Sequence, residues 1–262
     1  MIIFKYIKVW YLLTVNSFST ALVSRFGAVL FFTGKLIGFF FFLLFLMLLV
    51  DRTQTLIGYS LWQVILFFLT FNLIDTISQF FFREVYRFRY QVVTGNFDLI
   101  LVRPINPLFR ALAGGADFLD LVTIPLLLIS IVYAAGKVES ITFTNATFYI
   151  LLTLNGLVLS TAFHVLVLAI AILTTEIDHT IMIYRDITKM GRVPIDIYNQ
   201  LLRGLLTFVV PVGLMMTFPV KALLGLLSWP GIIISFAMGA IFFFASLKLW
   251  SYSLRHYSSA SS

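Results

Sequence analysis

Residues 27–50 read GAVLFFTGKLIGFFFFLLFLMLLV, 24 consecutive positions in which Lys35 is the one charge. Coiled as an α-helix, such a run is about 36 Å long, more than the roughly 30 Å hydrocarbon core of a bilayer. It predicts a membrane-spanning helix. Working outward, comparable apolar runs recur at 57–82, 111–135, 148–173, 205–220 and 232–250. The expected fold is therefore an all-α integral membrane protein with six transmembrane helices, forming one domain over 1–262. The run at 205–220 is short for a crossing and carries Pro211, which removes a backbone donor and bends a helix. A broken fifth span, followed by a re-entrant hairpin dipping in from outside, fits it better than one straight helix.

The composition agrees. Of 262 residues, 61% are hydrophobic and 11% charged, against about 45–50% and about 25% in soluble domains. That excludes a water-soluble globule, and the hydrophobicity excludes disorder. The chain has no Cys, so it has no disulfide, thiolate metal site or thiol nucleophile. The net charge of +7 sits in patches between apolar runs, as membrane topology requires, and not on one soluble face as nucleic-acid binding requires.

Those patches orient the chain. With the N-terminus inside, 14 of the 18 Lys and Arg lie in inner segments and three in outer loops, leaving Lys35 within a span. The positive-inside rule then makes both termini cytoplasmic. Residues 1–25 are too interrupted by Asn16, Ser17, Ser19 and Thr20 for a cleavable signal. Read as a helix, Ile3, Tyr6, Trp10 and Leu13 share one face and Lys5, Lys8, Asn16 and Ser19 much of the other, which suits an interfacial helix. Trp62, Trp229 and Trp250 fall near span ends, as interfacial anchors do.

No motif for catalysis is present. Around Gly34-Lys35, Val29 stands where a Walker A loop needs its first glycine, and Leu36 where Ser or Thr would hold magnesium. GxSxG, HExxH and paired His/Cys metal spacings are absent. Neither catalytic nor metal-ligating residues are expected. The ionisable residues inside the spans are Asp75, Asp117, Asp120 and His164. Charges at that depth face protein or water, so all four are candidates for a translocation path. Each also has a structural reading. Asp117 and Asp120 share a helical face and would cap a helix or pair with Arg110. Asp75 would pair with Lys35, and His164 would be a hydrogen-bonded core residue.

The inner loops carry more pattern. In 83–92, Val85, Phe88 and Val92 share one helical face, while Arg83, Glu84, Arg87 and Gln91 share the other. Thr94-Gly95-Asn96 breaks that helix, and a second short apolar element stops before Pro104. The 174–204 loop contains a turn at Gly191-Arg192-Val193-Pro194, because Pro194 pushes Val193 out of helical conformation.

Four features in this order resemble bacterial six-span permeases of the second superfamily of ABC exporters. The first is Gly95, Asp98, Leu101, Arg103 and Pro104 after an arginine-rich amphipathic segment. The second is Gly191, Arg192, Pro194 and Tyr198 before the fifth span. The third is Pro211 and Pro219 within that span, and the fourth is the tail from Arg255 to Ser261. The resemblance implies a permease subunit in the bacterial cytoplasmic (inner) membrane. A second identical or paralogous permease would share the path, and separate ABC ATPase subunits would bind ATP and magnesium, leaving this chain without a cofactor. Residues 83–93 would be the cytoplasmic coupling helix, with Arg83, Glu84, Arg87 and Arg89 facing the ATPase. The competing reading is a proton-coupled secondary transporter using Asp75, Asp117, Asp120 or His164. An intramembrane enzyme lacks a catalytic constellation, and a non-transporting scaffold would need an assay to separate.

Overall fold

A backbone surrounded by hydrocarbon must satisfy its own N–H and C=O groups, so long apolar runs fold as helices. The computed structural model describes residues 2–23, 25–139, 141–174 and 177–258. Its helices are α1 (Ile2–Val23), α2 (Arg25–Thr53), α3 (Leu61–Phe82), α4 (Phe88–Val93), α5 (Asn96–Leu101), α6 (Pro107–Leu112), α7 (Phe118–Ala135), α8 (Phe143–Thr174), α9 (Ile177–Lys189), α10 (Gln200–Gly204), α11 (Phe218–Leu223) and α12 (Trp229–Arg255). Among the described residues there is no strand, only one bridge between Leu56 and Tyr59. Four helical stretches are long and apolar enough to cross a membrane: Val29–Thr53, Leu61–Val93, Phe143–Thr174 and Trp229–Arg255. The apolar α7 is shorter. Ser259–Ser261 of the tail lie outside the described residues.

α3 is the axis of the molecule. It starts at Leu61 because the preceding residues turn: Gly58 has φ +80°, and Gln63 Oε1 accepts from the Ser60 N–H at 2.9 Å. Its side chains are buried along most of its length. α7 lies antiparallel beside it, with Trp62 edge-on to Tyr133 at one end and Arg83 paired with Asp117 at the other. α8 runs parallel to it. Ser160 Oγ donates to Ser78 Oγ at 2.7 Å, and the Phe82 and His164 rings lie 5.0 Å apart. α12 returns along α8, from the Phe148–Trp229 contact to the cluster that holds Trp250 with Val167 and Leu168. Asn155 Nδ2 of α8 donates to the Ser235 carbonyl of α12 at 2.9 Å. Trp250 is buried in that cluster, so it is a core residue and not the interfacial anchor expected.

Two expected elements are corrected, and a third is seen in detail. The run 111–135 is not one helix. α6 ends at Leu112, residues 113–117 are non-helical, and α7 begins at Phe118, capped by Asp117, whose Oδ1 accepts from the Leu119 N–H at 2.8 Å. The cause is Gly114-Gly115. A Cβ on Gly115 would collide with the Leu13 carbonyl and Ser17, so the gap is where α1 docks. Tyr6 meets Phe109, Lys5 Nζ donates to the Pro104 carbonyl at 2.6 Å, and the Ala116 N–H donates to Thr14.

Residues 83–93 do not form a separate amphipathic α-helix. They continue α3 as a 3-10 turn, Arg83–Arg87, followed by α4. The continuous helical stretch of 33 residues is about 50 Å long and so outruns a bilayer core.

The run 205–220 belongs to a bent pair of apolar helical segments. Gln200–Val209 and Gly213–Leu223 meet at a bend of 83° around Pro211, with π-helical turns on both sides. The 174–204 loop is largely structured, and it runs beside α3. Ile181 sits with Val167 and Trp250; Tyr184 meets the His164 and Phe163 rings. Gly191 is buried against Val212 and Met216. Arg192 lies over the Phe71 and Phe42 rings. Val193 is extended before Pro194. Asp196 then accepts from the Tyr59 hydroxyl at 3.0 Å, at the opposite end of the bundle.

Candidate functional site

The interior charges fall into three groups, separated by what surrounds each carboxylate, and the expected site residues lie in the first two. The first is an ion network joining α2, α3 and α7. Lys35 Nζ lies 2.7 Å from Asp120 Oδ1. Arg83 pairs with Asp117, and its other terminal nitrogen lies 3.3 Å from Asp120. Two cations thus meet two carboxylates, and Asp120 is 1% exposed. This corrects both expected pairings: Asp117 and Asp120 take Arg83 in place of Arg110, and Lys35 takes Asp120 in place of Asp75. The reason is register, since the antiparallel α7 brings its first turn to the end of α3.

Arg110 instead pairs with Glu84 at 3.3 Å, and Gln91 Nε2 donates to the same carboxylate at 2.7 Å. Glu84 is buried and Arg83 half-buried, whereas Arg87 and Arg89 are exposed. Of the four residues expected on the coupling face, the last two are the exposed ones. Arg87 borders a groove of about 340 Å³ together with Tyr90, Leu99, Arg103 and Arg110. Gly95, with φ +72°, makes the turn that folds α5 back on α4. Phe88 and Phe97 then meet edge-on at 5.0 Å, close to Trp250, while Tyr257 closes over Phe97 at 5.2 Å. Burial and the Asp98 carboxylate push the Tyr257 phenol up to about 12.

The second group is a small polar cavity inside the bundle. Asp75, Gln79, Tyr86, His164, Tyr184 and Arg185 line it. Gln79 Nε2 donates to Asp75 at 2.7 Å. His164 Nδ1 lies 2.8 Å from the Ser160 carbonyl, so that nitrogen carries the proton and Nε2 is the free acceptor. Asp75 and His164 are therefore brought together, and Asp117 and Asp120 are not part of their group. The cavity's roughly 10 Å³ of free space matches about one water molecule.

The third group was not foreseen. Asp196 binds Lys221 Nζ at 2.8 Å, approaches Arg203 at 3.7 Å and accepts from Tyr59. Burial, then the Asp196 charge, raise the Tyr59 phenol above its ordinary value, so at neutral pH it stays protonated and donates. The sequence carries no local signal for this clasp, because Tyr59 and Asp196 lie 137 residues apart. Among the described residues no group of three or more acidic or His side chains stands ready for a metal.

Among the described residues, four long apolar helices, the shorter α7 and a bent apolar pair combine with an arginine-rich end and paired interior charges. Residues 36–261 match the family of the ABC-2 family transporter protein. The chain belongs to that family. No curated protein and no solved structure matches it. As an ABC-2 permease it is a transmembrane transport component, and the family implies an ABC ATPase as its partner. The ABC-2 match begins just after Lys35 and covers both partners of every ion pair described above except that of Lys35 with Asp120.

Proposed function

We propose that this ABC-2 permease is the membrane subunit of an ATP-driven exporter in a bacterial cytoplasmic membrane, with both termini cytoplasmic. A second permease, identical or paralogous, shares its path. Separate ATPase subunits bind ATP and magnesium, since this sequence has no Walker A loop. The observation that carries the reading is the division among the arginines. Arg83 and Arg110 are spent on internal carboxylates, while Arg87 stands exposed on a short element at the rim of a groove. That element's other face is keyed by Phe88 into the buried cluster of α8 and α12. ATP binding in the partner pushes on this element, and the aromatic contacts pass the displacement to the spans. Gly95, Asp98, Arg103 and Pro104 shape the fold-back, and Gly191, Arg192, Pro194 and Pro211 shape the irregular second half.

Co-expression with an ABC ATPase subunit tests it. The expected result is a complex that survives purification and whose ATP hydrolysis depends on this chain. A permease that is well expressed, never retains an ATPase and never alters its activity refutes the proposal.

A further inference from the structure

Arg87 and Arg103 line one groove of about 340 Å³, together with Glu84, Tyr90, Leu99 and Arg110. A groove of that volume can hold a small ligand or a headgroup. Its one carboxylate is already engaged: Arg110 lies 3.3 Å from Glu84, and Gln91 donates to Glu84 at 2.7 Å. Among the described residues, neither Arg87 nor Arg103 has a carboxylate within ion-pair distance. Two like charges lining one groove repel each other, and an anion held between them removes that cost. Tyr90 brings a hydroxyl to the same wall. The groove therefore suits a group of net negative charge.

What lies beside the groove decides what carries that charge. Arg103 is followed by Pro104, whose carbonyl accepts from Lys5 Nζ of α1 at 2.6 Å. Phe4, Ile7 and Tyr11 share one face of α1, and all three are exposed. On the other side of Arg103, Val102 is 80% exposed, and Leu99 in the groove wall is exposed as well. Apolar faces left open in this way on an interfacial helix and its neighbour belong against acyl chains. Hydrocarbon then ends within a residue or two of Arg103, at the level where a bilayer places its phosphates. A soluble anion would answer the two arginines and leave Val102 and Leu99 in water. A phospholipid answers both. Choline or ethanolamine would bring a further cation to the arginines, so the charges select a headgroup without one.

We propose that the groove beside α4 and α5 binds the phosphate of an anionic phospholipid of the inner leaflet between Arg87 and Arg103. Basic pockets on the cytoplasmic side of membrane proteins hold such headgroups by the same charge pairing. The proposal rests on the cytoplasmic placement of this end in the permease reading. It makes the coupling element a composite of protein and lipid, so that its position depends on the composition of the leaflet.

The full-length permease, stripped of lipid in detergent, is mixed with dioleoyl phosphatidylglycerol, phosphatidylethanolamine or phosphatidylcholine, or with glycerol 3-phosphate as a soluble anion. Phosphatidylglycerol should raise the unfolding midpoint by about 5 °C over phosphatidylcholine, since a ligand bound only by the folded state stabilises it by mass action. The double variant Arg87→Gln with Arg103→Gln should keep the phosphatidylcholine midpoint and lose that gain. Phosphatidylglycerol with a diazirine in its acyl chain should cross-link the wild-type chain within 87–110 or within α1, which decides the matter if the double variant does not fold. Equal midpoints in phosphatidylglycerol and phosphatidylcholine overturn the proposal, as does a gain that survives in the double variant. An equal gain from glycerol 3-phosphate or from phosphatidylethanolamine, or cross-links confined to other segments, overturns it too. The permease is tested without its ATPase, so a failed ATPase pairing and a failed lipid site are told apart.

Discussion

Lys35 of α2 reaches Asp120 of α7 at 2.7 Å, and Asp120 is shared with Arg83 at the end of α3. α2 has few other polar ties to the bundle, and most of its apolar surface is exposed. This carboxylate therefore holds three helices in register.

Asp120→Ala should lower stability by up to about 3 kcal/mol, because it leaves Lys35 without its buried partner and Arg83 with Asp117 alone. Thermal unfolding in detergent reads this as a depressed midpoint. Lys35→Met combined with Asp120→Ala should lose less than the sum of the single variants, since the two changes remove one shared interaction. An additive double variant would show that the two side chains do not interact.

Arg87→Glu and Arg83→Glu should separate function from fold. Arg87 is exposed at the rim of its groove, so its reversal should leave expression and the unfolding midpoint unchanged and uncouple ATPase activity from transport. Arg83 pairs with Asp117 and Asp120, so its reversal puts three negative charges together and should abolish folded protein. Normal transport by Arg87→Glu argues against this part of the chain as the coupling element.

Gly115→Leu should detach α1. The added side chain meets the Leu13 carbonyl and Ser17, and overpacking of this kind costs about 1–3 kcal/mol. Limited proteolysis should cut α1 faster in the variant while the rest of the chain stays resistant. An unchanged digestion pattern would mean that α1 is held elsewhere.

Asp196→Ala should loosen the far end of the bundle. Lys221 then loses its partner and Tyr59 its acceptor. Hydrogen exchange should rise in 54–60 and in 219–224 together, because one carboxylate ties the two stretches. A rise confined to one stretch counts against the clasp.

The long apolar runs were legible because each helix satisfies its own backbone, whatever it packs on. α2, α3, α8 and α12 are cases of this. The pairings were not legible. Lys35 and Asp120 lie 85 positions apart, and no local pattern says which of two carboxylates a cation will choose. The packing of α9 was not legible for the same reason, since Ile181 and Tyr184 settle on Val167, Phe163 and His164 of α8 and on Trp250 of α12. In the run 205–220, Pro211 announced the break but not its angle of 83°. Gly114-Gly115 looked like part of a span because two glycines hardly disturb a hydropathy average, yet they decide where α7 starts.

The aromatic contact of Phe88 and Phe97 with Trp250 has a mechanical consequence. α4 and α5 are gripped by the end of α12 on their apolar side, and α12 is bonded along its length to α8 through Asn155 and Ser235. The three parts form a single lever arm, with its handle at Arg87 and Arg89. α2 lacks such a grip and hinges on Lys35 and the Phe39 and Phe42 contacts with Phe68. Torque applied at the handle would turn the lever against α2, and the joint between them is where the molecule would open.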